Sequence, residues 1–330
     1  MGVSLGMRRH PLRAALLALA ALPWPAGILR AQPGEALAPA SSSGGVVWVS
    51  LEDAGKIAEV DVAGRRVLRR FDAPGGPHNI TVAPDGTVVT ALWGSDQIAI
   101  IRDGEVRFVD LGGAPHDVKI ARNMVVVANQ GSARVQLVKL DGTFKRRIKL
   151  VADPHDLAVD PEQRRAWVTL EGRDELAVVN LIRRRPVRYV PTGRSPHDVL
   201  FAPDGTLWVT DWGGDLHVFS VPRGKLLETV PLGIEAHHLA FSPDGRLAWI
   251  TDHGADRVFV VRVRTRSVVT SRPFPGEPHH VAVTADGKWV VVADHANGRL
   301  IIYNAERRRR VGRILVGAGP HGVWAAPATS

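Results

Sequence analysis

A short block containing proline and histidine recurs seven times along this chain. The first histidines of the blocks are separated by 38, 39, 42, 40, 42 and 42 residues, a period of about 40. They are His78, His116, His155, His197, His237, His279 and His321. Self-similarity at this period is typical of propellers and other repeat architectures. It constrains the fold more than any single motif in the sequence does.

Each repeat has the same internal order. Alternating apolar residues follow the histidine, as at Val281 and Val283, then comes a turn such as Pro203-Asp204-Gly205, then three more strand-like runs. Four short strands in about 40 residues predict one four-stranded antiparallel blade. The sequence therefore predicts an all-β, seven-bladed β-propeller. The 33 glycines and 23 prolines among 330 residues agree with a chain that turns this often.

The two ends of the repeat region predict how the ring closes. Val46–Ser50 has the pattern of a second strand with no first strand before it, and His321–Ala325 that of a first strand with nothing after it. We therefore expect the first blade to combine strands from the N- and C-terminal ends, which removes open sheet edges that would invite aggregation. The predicted organisation is a signal peptide and short linker over residues 1–40, followed by a single propeller domain over residues 41–330.

The N-terminus has the features of an export signal. A basic stretch at residues 7–13 precedes an apolar run over about residues 14–29, and small residues follow at 36–40. The run is short and is interrupted by two prolines, which argues against an uncleaved membrane anchor. We expect a cleaved signal peptide and a periplasmic or secreted mature chain. Its net charge would be about +6, because residues 1–40 carry part of the +9 of the full sequence.

Strand-like segments in several repeats resemble a known family. The Tyr-Val-Thr-Asn signature of YVTN-type seven-bladed propellers is similar, with Trp in place of Tyr, to Trp48-Val49-Ser50, Trp167-Val168-Thr169, Trp208-Val209-Thr210-Asp211 and Trp249-Ile250-Thr251-Asp252. The resemblance covers about residues 45–327, and a more distant one links Pro203–Asp211 to streptogramin-lyase-like propellers. It implies the fold. Related propellers serve as lyases, lactonases, quinoprotein components and binding scaffolds, so it implies no single function.

Blade geometry predicts that most histidines share one face. The loops that enter strand A and the loops between strands B and C lie on the same rim, which we call the top face. Besides the seven repeat histidines, this face is expected to carry His238, His253, His280 and His295, the acids Glu171, Asp211, Asp252 and Asp294, and the aromatic residues Trp93 and Trp212. Imidazoles beside carboxylates suit a divalent metal ion, and indole walls suit a small ligand.

Three interpretations of this face follow from the sequence. The first is an exported binding or interaction protein whose top face holds a ligand or a divalent metal ion, the one cofactor that the residues indicate. The second is a metal-dependent lyase or lactonase-type enzyme that acts on a small molecule at the top of the central channel; no catalytic residue is assigned. The third is a purely structural partner in a redox or envelope complex.

A feature present in all seven repeats is also compatible with architecture. Five repeats carry Ser or Thr at the end of strand B, including Thr169, Thr210 and Thr251. A His–Thr–Asp hydrogen-bond network in each blade would resemble the network of WD-repeat propellers. The histidine ring is therefore either a structural device or a binding site.

Basic residues cluster at the turns between strands C and D, on the bottom rim. The clusters chosen as candidates for an anionic surface are Arg183, Arg184 and Arg185, and Arg307, Arg308, Arg309 and Arg310. They lack interleaved aromatic residues, so nucleic acid is not an expected partner. The expected partners are a small molecule or an envelope protein, and the chain is expected to be monomeric. The absence of cysteine excludes disulfides, thiol nucleophiles and Cys-ligated metal clusters.

Overall fold

The structure, a computed structural model, describes residues 29–30 and 45–327. Residues 45–327 form seven four-stranded antiparallel sheets, and the strand A of each sheet contacts the strands A of its neighbours. The all-β, seven-bladed β-propeller is therefore confirmed. Apart from Leu29–Arg30, the predicted signal peptide lies outside the described residues.

The strands follow the predicted order in every blade. For blades 1 to 7, strand A is Pro320–Ala325, Pro77–Val82, Pro115–Ala121, Leu157–Val159, Pro196–Phe201, Ala236–Phe241 and Pro278–Val283. Strand B is Val46–Leu51, Val88–Leu92, Met124–Asn129, Arg165–Leu170, Leu207–Asp211, Leu247–Asp252 and Trp289–Asp294. Strand C is Lys56–Asp61, Gln97–Arg102, Arg134–Lys139, Glu175–Asn180, Asp215–Ser220, Arg257–Arg262 and Arg299–Asn304. Strand D is Arg66–Asp72, Glu105–Asp110, Phe144–Lys149, Arg185–Pro191, Lys225–Pro231, Val268–Pro273 and Arg309–Leu315.

Blade 1 closes the ring as predicted. Its strand A comes from the C-terminal end of the chain and pairs antiparallel with Val46–Leu51, with Trp48 opposite Trp324 and Val49 opposite Val323. In blade 2, Leu29–Arg30 pairs with the outer strand and adds a short fifth strand. That segment falls inside the region expected to be removed on export.

Helical structure among the described residues is limited to three single 3-10 turns, and none of these elements has the length or hydropathy of a membrane span. The turns are Gln130–Ser132, Glu171–Arg173 and His295–Asn297, each in a loop between strands B and C.

The hydrophobic core is divided among the blade interfaces. Seven apolar clusters occur, one between each pair of neighbouring blades. Strands B and C are apolar on both faces because neighbouring blades cover them on both sides. The strand-B tryptophans Trp167, Trp208 and Trp249 are completely buried there. The core thus uses the sheet faces and leaves the polar ends of strands A and B to the axis and the top face.

Candidate functional site

The seven repeat histidines form a closed ring of imidazoles around the axis. Centroids of neighbouring rings lie 3.7–5.2 Å apart over the whole circle, from His78 through His197 to His321 and back to His78. None of the seven is more than 9% exposed. The repeat therefore converts one histidine per blade into a buried array of ring nitrogens.

In five blades a β-bulge at the start of strand A directs a second residue of the repeated block toward the axis. In blade 5, Pro196 pairs with Asp211 and Val199 with Val209, so His197 and Asp198 together lie opposite one residue of strand B. The same register shift occurs in blades 1, 2, 6 and 7. A bulge re-aims side chains that would otherwise alternate between the two faces of a sheet.

Hydroxyl groups at the end of strand B hold this bulge through the backbone. Thr169 Oγ1 accepts a hydrogen bond of 2.8 Å from the Asp156 amide and donates one of 2.9 Å to the His197 carbonyl in the next blade. Ser50 and Thr210 donate equivalent bonds to ring-histidine carbonyls. The expected His–Thr–Asp network therefore runs through the backbone, and these hydroxyls leave the imidazole nitrogens unused.

The residues that follow the ring histidines form a second layer, which we call the inner tier. Its members are Asn79, Asp117, Asp156, Asp198, His238, His280 and Gly322. Asn79 of blade 2 donates a 2.7 Å hydrogen bond to Asp156 of blade 4, and His238 Nε2 of blade 6 lies 3.6 Å from Asp156 Oδ2. Contacts between blades that are not neighbours show that this tier meets at the axis. We call the ring and the inner tier together the axial cluster.

Lys119 lies in the channel next to the inner tier. Its ammonium group donates hydrogen bonds of 2.6 and 2.7 Å to the two oxygens of Asp117, and it lies 5.5 Å from the centre of the Trp324 ring. Burial alone would lower the pKa of Lys119, but the carboxylates of Asp117 and Asp156 raise it. One of the inner-tier acids is thus already paired with a cation.

Burial determines the protonation of the remaining axial groups. It lowers the pKa of all seven ring histidines and of His238 and His280, and neighbouring histidines lower most of them further. Burial and the Asp117 charge raise the pKa of Asp156 well above its usual range. Burial and the Asp156 charge raise the pKa of Asp198 to about 8. At neutral pH the histidines are therefore neutral, as metal ligands must be.

Many polar atoms of the axial cluster have no hydrogen-bond partner among the described residues. They are Nδ1 of His116, His155, His197, His237, His279 and His321, Nε2 of His238 and His280, and Oδ2 of Asp156. Buried polar groups are normally hydrogen-bonded, so each exception calls for an explanation such as a bound ion, water or ligand.

The residues that directly follow strand B form a third layer, the mouth tier, above the ring. They are Glu52, Trp93, Gln130, Glu171, Trp212, His253 and His295. Two Glu–Trp pairs link neighbouring blades, because Trp93 Nε1 and Trp212 Nε1 each donate a 2.9 Å hydrogen bond, to Glu52 and Glu171 respectively. His155 Nε2 lies 3.4 Å from Glu171 Oε1, so the mouth acids reach the ring nitrogens that face away from the inner tier.

The other side of the mouth is made of histidines around Glu277. Its Oε1 lies 2.8 Å from His253 Nε2 and 3.5 Å from His279 Nε2. These hydrogen bonds, that from His279 first, lower the pKa of Glu277 to about 2. A hydrogen bond with Glu52 raises the pKa of His295, while burial raises that of Glu171. The mouth therefore mixes an ionised acid, a readily protonated histidine and two indole rings.

Seven groups of at least three side chains among the described residues have one ligand atom each within 4.8 Å of one another, and five of these groups matter here. They are His116–His155–Asp156, His197–His237–His238, Glu52–His78–His321, His155–Glu171–His197 and His253–Glu277–His279. In the first two of these five groups every residue is buried. Several groups of the top face can therefore hold a metal ion.

The family of this chain follows from a family model. The model of YNCE-like beta-propellers matches residues 121–329, more than half of the chain. This chain belongs to the YNCE-like β-propeller family. The match agrees with the resemblance to seven-bladed propellers that the sequence indicates. A search of curated proteins finds no significant match.

Solved structures with the same fold differ widely in function. A functionally unknown protein from Desulfotomaculum acetoxidans has a TM-score of 0.77 at 13% identity, covering 86% of this chain and 99% of its own. Kuenenia stuttgartiensis hydrazine synthase has a TM-score of 0.72 at 18% sequence identity, and the match covers 80% of this chain and 93% of that chain. Virginiamycin B lyase from Staphylococcus aureus has a TM-score of 0.67 at 15% sequence identity, and the match covers 75% of this chain and 87% of that chain. It was solved as a catalytically inactive histidine-to-alanine variant with quinupristin. At these identities the likeness shows the fold alone.

Three predicted site residues of this YNCE-like propeller point away from the axial cluster. Asp211, Asp252 and Asp294 end their strands B, and we call them the bracing carboxylates because their oxygens bind the adjoining loops. Asp252, for example, accepts hydrogen bonds of 2.8 and 2.7 Å from the amides of Ile234 and Ala255. A Cβ on Gly233 would lie 1.8 Å from Asp252 Oδ2, so this loop passes directly over the carboxylate and requires glycine.

The other predicted residues lie where blade geometry places them. His217, the one histidine of residues 45–327 expected away from the top face, lies in strand C of blade 5 with Nε2 2.8 Å from Asp211. The arginines at 183–185 and 307–310 lie at the turns between strands C and D or at the start of strand D. All are exposed except Arg308, which is partly buried.

Sequence reasoning missed most of the inner tier. The acids Asp117, Asp156 and Asp198 directly follow ring histidines in the repeated block, so their positions were visible in the sequence. Regular alternation would have sent them to the opposite face of strand A from the histidines. A polar residue kept beside the histidine in most blades, on a strand that is otherwise apolar, was the available signal of the bulge.

Proposed function

We propose that this chain is an exported β-propeller that binds a divalent transition-metal ion on His116, His155 and Asp156. The observation that carries the proposal is the convergence of three buried ligand atoms, two of which are imidazole nitrogens with no hydrogen-bond partner among the described residues. His116 Nδ1 and His155 Nδ1 lie 3.3 and 3.6 Å from the same carboxylate oxygen, Asp156 Oδ1.

These separations match a coordination sphere. Nitrogen and oxygen ligands about 2.0–2.2 Å from Zn²⁺ at tetrahedral angles lie about 3.3–3.6 Å from one another. Two imidazoles and a carboxylate suit zinc and other first-row metals. A hydrogen-bonding contact would instead bring a histidine nitrogen to about 2.7–2.9 Å from a carboxylate.

Neighbouring groups support the same site. Asn79 Nδ2 donates a 2.7 Å hydrogen bond to Asp156 Oδ1 and fixes the carboxylate, and Glu171 lies 3.4 Å from the Nε2 of His155. A carboxylate on the far nitrogen of a ligating histidine fixes its tautomer and orientation, as is usual in metal sites. Because the pKa of Asp156 is raised, a metal ion would displace a proton from it, and affinity would rise with pH.

Metal analysis of the purified, tag-free mature chain tests the proposal. After dialysis against Zn²⁺ or Co²⁺ we expect at least one metal ion per chain, and bound Co²⁺ should give the visible spectrum of a tetrahedral nitrogen and oxygen site. Asp156→Asn and His116→Ala should lose the ion bound by His116, His155 and Asp156. His217→Gln is the matched control, because it changes a buried histidine outside the axial cluster and should retain it.

A wild-type chain that stays folded and retains no metal would overturn the proposal. So would metal that is lost equally in His217→Gln, since that residue lies outside the ring. Thermal unfolding of each variant, measured in chelator, separates loss of the site from loss of the fold.

A second candidate is a metal-dependent lyase or lactonase-type enzyme. The mouth tier favours it, because a molecule held at the metal would approach the ring beside Glu171, Trp212 and the partly exposed pair of His253 and Glu277. A metal ion would polarise the group to be cleaved, and these side chains offer a general base. Incubating the metal-loaded chain with quinupristin and with simple lactones, followed by mass spectrometry, tests it. Unchanged substrates would leave binding as the function.

We also propose that the protein works outside the cytoplasm as a monomer. The proposed location rests on the export pattern of residues 1–40. Cell fractionation with N-terminal sequencing tests it: a mature chain that begins near residues 37–41 supports export, and an intact N-terminus in the cytoplasm contradicts it. Light scattering of the purified chain tests the monomer.

A further inference from the structure

A second, separate set of buried nitrogens lies beside the proposed metal site. His197, His237 and His238 are 3–5% exposed and each offers a nitrogen within 4.8 Å of the other two. His197 Nδ1, His237 Nδ1 and His238 Nε2 have no hydrogen-bond partner among the described residues. The set shares no residue with His116, His155 and Asp156. Three neutral imidazoles are by themselves a sufficient protein ligand set for a zinc-like ion.

Asp156 lies between the two sets. Its Oδ1 is the oxygen that faces His116 and His155, whereas its Oδ2 lies 3.6 Å from His238 Nε2. Oδ2 has no hydrogen-bond partner among the described residues. One carboxylate thus presents one oxygen to each set, as a carboxylate that bridges two metal ions does.

His238 is oriented for this role by the neighbouring inner-tier acid. Its Nδ1 lies 3.2 Å from Asp198 Oδ2, while the backbone amides of Val199 and Leu239 hold the two oxygens of Asp198 at 2.7 and 2.9 Å. When Asp198 is ionised, a proton on Nδ1 faces its carboxylate and leaves the electron pair of Nε2 free for a metal ion. Carboxylate support of the far nitrogen is the usual arrangement behind a ligating histidine.

We propose that the axial cluster holds two divalent ions bridged by Asp156. One ion is that of the proposed function, on which this inference rests; the second is held by His197, His237 and His238. Blades 3 and 4 supply the ligands of the first ion, and blades 5 and 6 supply those of the second. Two-metal sites in proteins place their ions about 3.5–4 Å apart, within reach of one bridging carboxylate.

Metal stoichiometry of the full mature chain tests the second ion. After loading with Mn²⁺ or Co²⁺ and removal of free metal, we expect two ions per chain. His237→Gln should reduce the content to one ion, and His116→Gln should do the same, because each removes a ligand of one set only. His217→Gln should keep two. Electron paramagnetic resonance of the Mn²⁺-loaded chain should show two exchange-coupled ions, and each single-ion variant should show the spectrum of an isolated ion.

The outcomes separate this inference from the proposed function. A single ion that persists in His237→Gln and is lost in His116→Gln overturns the second site and leaves the first. Two ions without magnetic coupling overturn the bridge by Asp156. A folded wild-type chain that binds no metal overturns both proposals.

Discussion

The bracing carboxylates and the axial cluster are equally buried, but their polar atoms are used differently. Asp252 and Asp294 are completely buried, and the amides and side chains of adjoining loops occupy their oxygens. In the axial cluster, by contrast, six ring histidines, both inner-tier histidines and Asp156 each keep an atom without a hydrogen-bond partner among the described residues. Both sets lie at the top ends of strands A and B.

The difference separates architecture from binding within one repeat. A carboxylate whose oxygens accept loop amides stabilises the blade and has no capacity left for a ligand. A neutral imidazole with a free nitrogen contributes little to the blade, because hydroxyls such as Thr169 hold the bulge through the backbone. The number of copies of a residue is therefore a poorer guide to its role than the state of its polar atoms.

The largest effect should come from acid, which acts on the whole axial cluster at once. The nine axial histidines have lowered pKa values, whereas an unfolded chain takes up protons near pH 6.5. Stability is thus fully present above pH 6.5 and is lost as the pH falls below it. Asp156 and Asp198, with raised pKa values, act in the opposite direction but are outnumbered.

Thermal unfolding of the metal-free chain in chelator checks this. We expect a small change in Tm between pH 8 and 7 and a steep decrease between pH 7 and 5. Lys119 does not interfere, because its raised pKa places its titration above this range. A Tm that is constant or higher at pH 5 would mean that the histidines are charged or solvated in the folded state.

Removing a bracing carboxylate should have the next largest effect. Asp252→Ala would remove a buried carboxylate and leave the partly buried amides of Ile234 and Ala255 without their acceptors, and we expect a loss of about 3 kcal/mol in the free energy of unfolding. The matched control is Asp244→Ala, which removes an exposed turn carboxylate that also accepts an amide hydrogen bond, from Arg246. It should cost less than about 1 kcal/mol. Urea unfolding measures both, and equal losses would contradict the bracing role.

Removing a ring imidazole should cost less than removing a bracing carboxylate. His197→Ala eliminates a buried nitrogen that has no partner among the described residues. The variant loses packing but no longer carries the desolvation penalty of that nitrogen, so we expect a loss below about 1 kcal/mol in the free energy of unfolding in chelator. The same variant should bind less metal. Thr169→Val, which removes hydrogen bonds to Asp156 and His197 backbone atoms, should cost more. If His197→Ala is as destabilising as Asp252→Ala, the ring is structural.

The sequence predicts the fold because the period itself encodes it. Seven repeats, four strands in each, and a first blade shared between both ends follow from the spacing of histidines such as His78 and His321 and from the incomplete repeats that flank them. The histidine face follows from the same repeat, since equivalent residues of a closed ring must meet on one side.

The repeat pattern does not predict which residues of that face brace loops and which point toward the axis or the mouth tier. At the end of strand B one step along the chain separates Asp252, which braces loops, from His253, which enters the mouth tier. In strand A of blade 5 the bulge sends His197 and Asp198 to the axis together, against the alternation expected of a regular strand. Both depend on local register, which a composition of imidazoles and carboxylates does not specify.

The smallest effect concerns the bottom rim, which contrasts with the neutral histidine face. We expect the exposed arginines at positions 183–185, 307, 309 and 310 to give weak binding to vesicles of anionic lipid, because their charges remain solvated. Binding should weaken strongly between 0.1 and 1 M salt, as the screening length falls from about 10 Å to about 3 Å. Changing Arg307 and Arg309 to Gln should weaken it further, while Trp93→Ala on the mouth tier should not. Cosedimentation with anionic and with zwitterionic vesicles measures this. Retention on anionic vesicles that is independent of salt would show that charge on this rim does not drive docking.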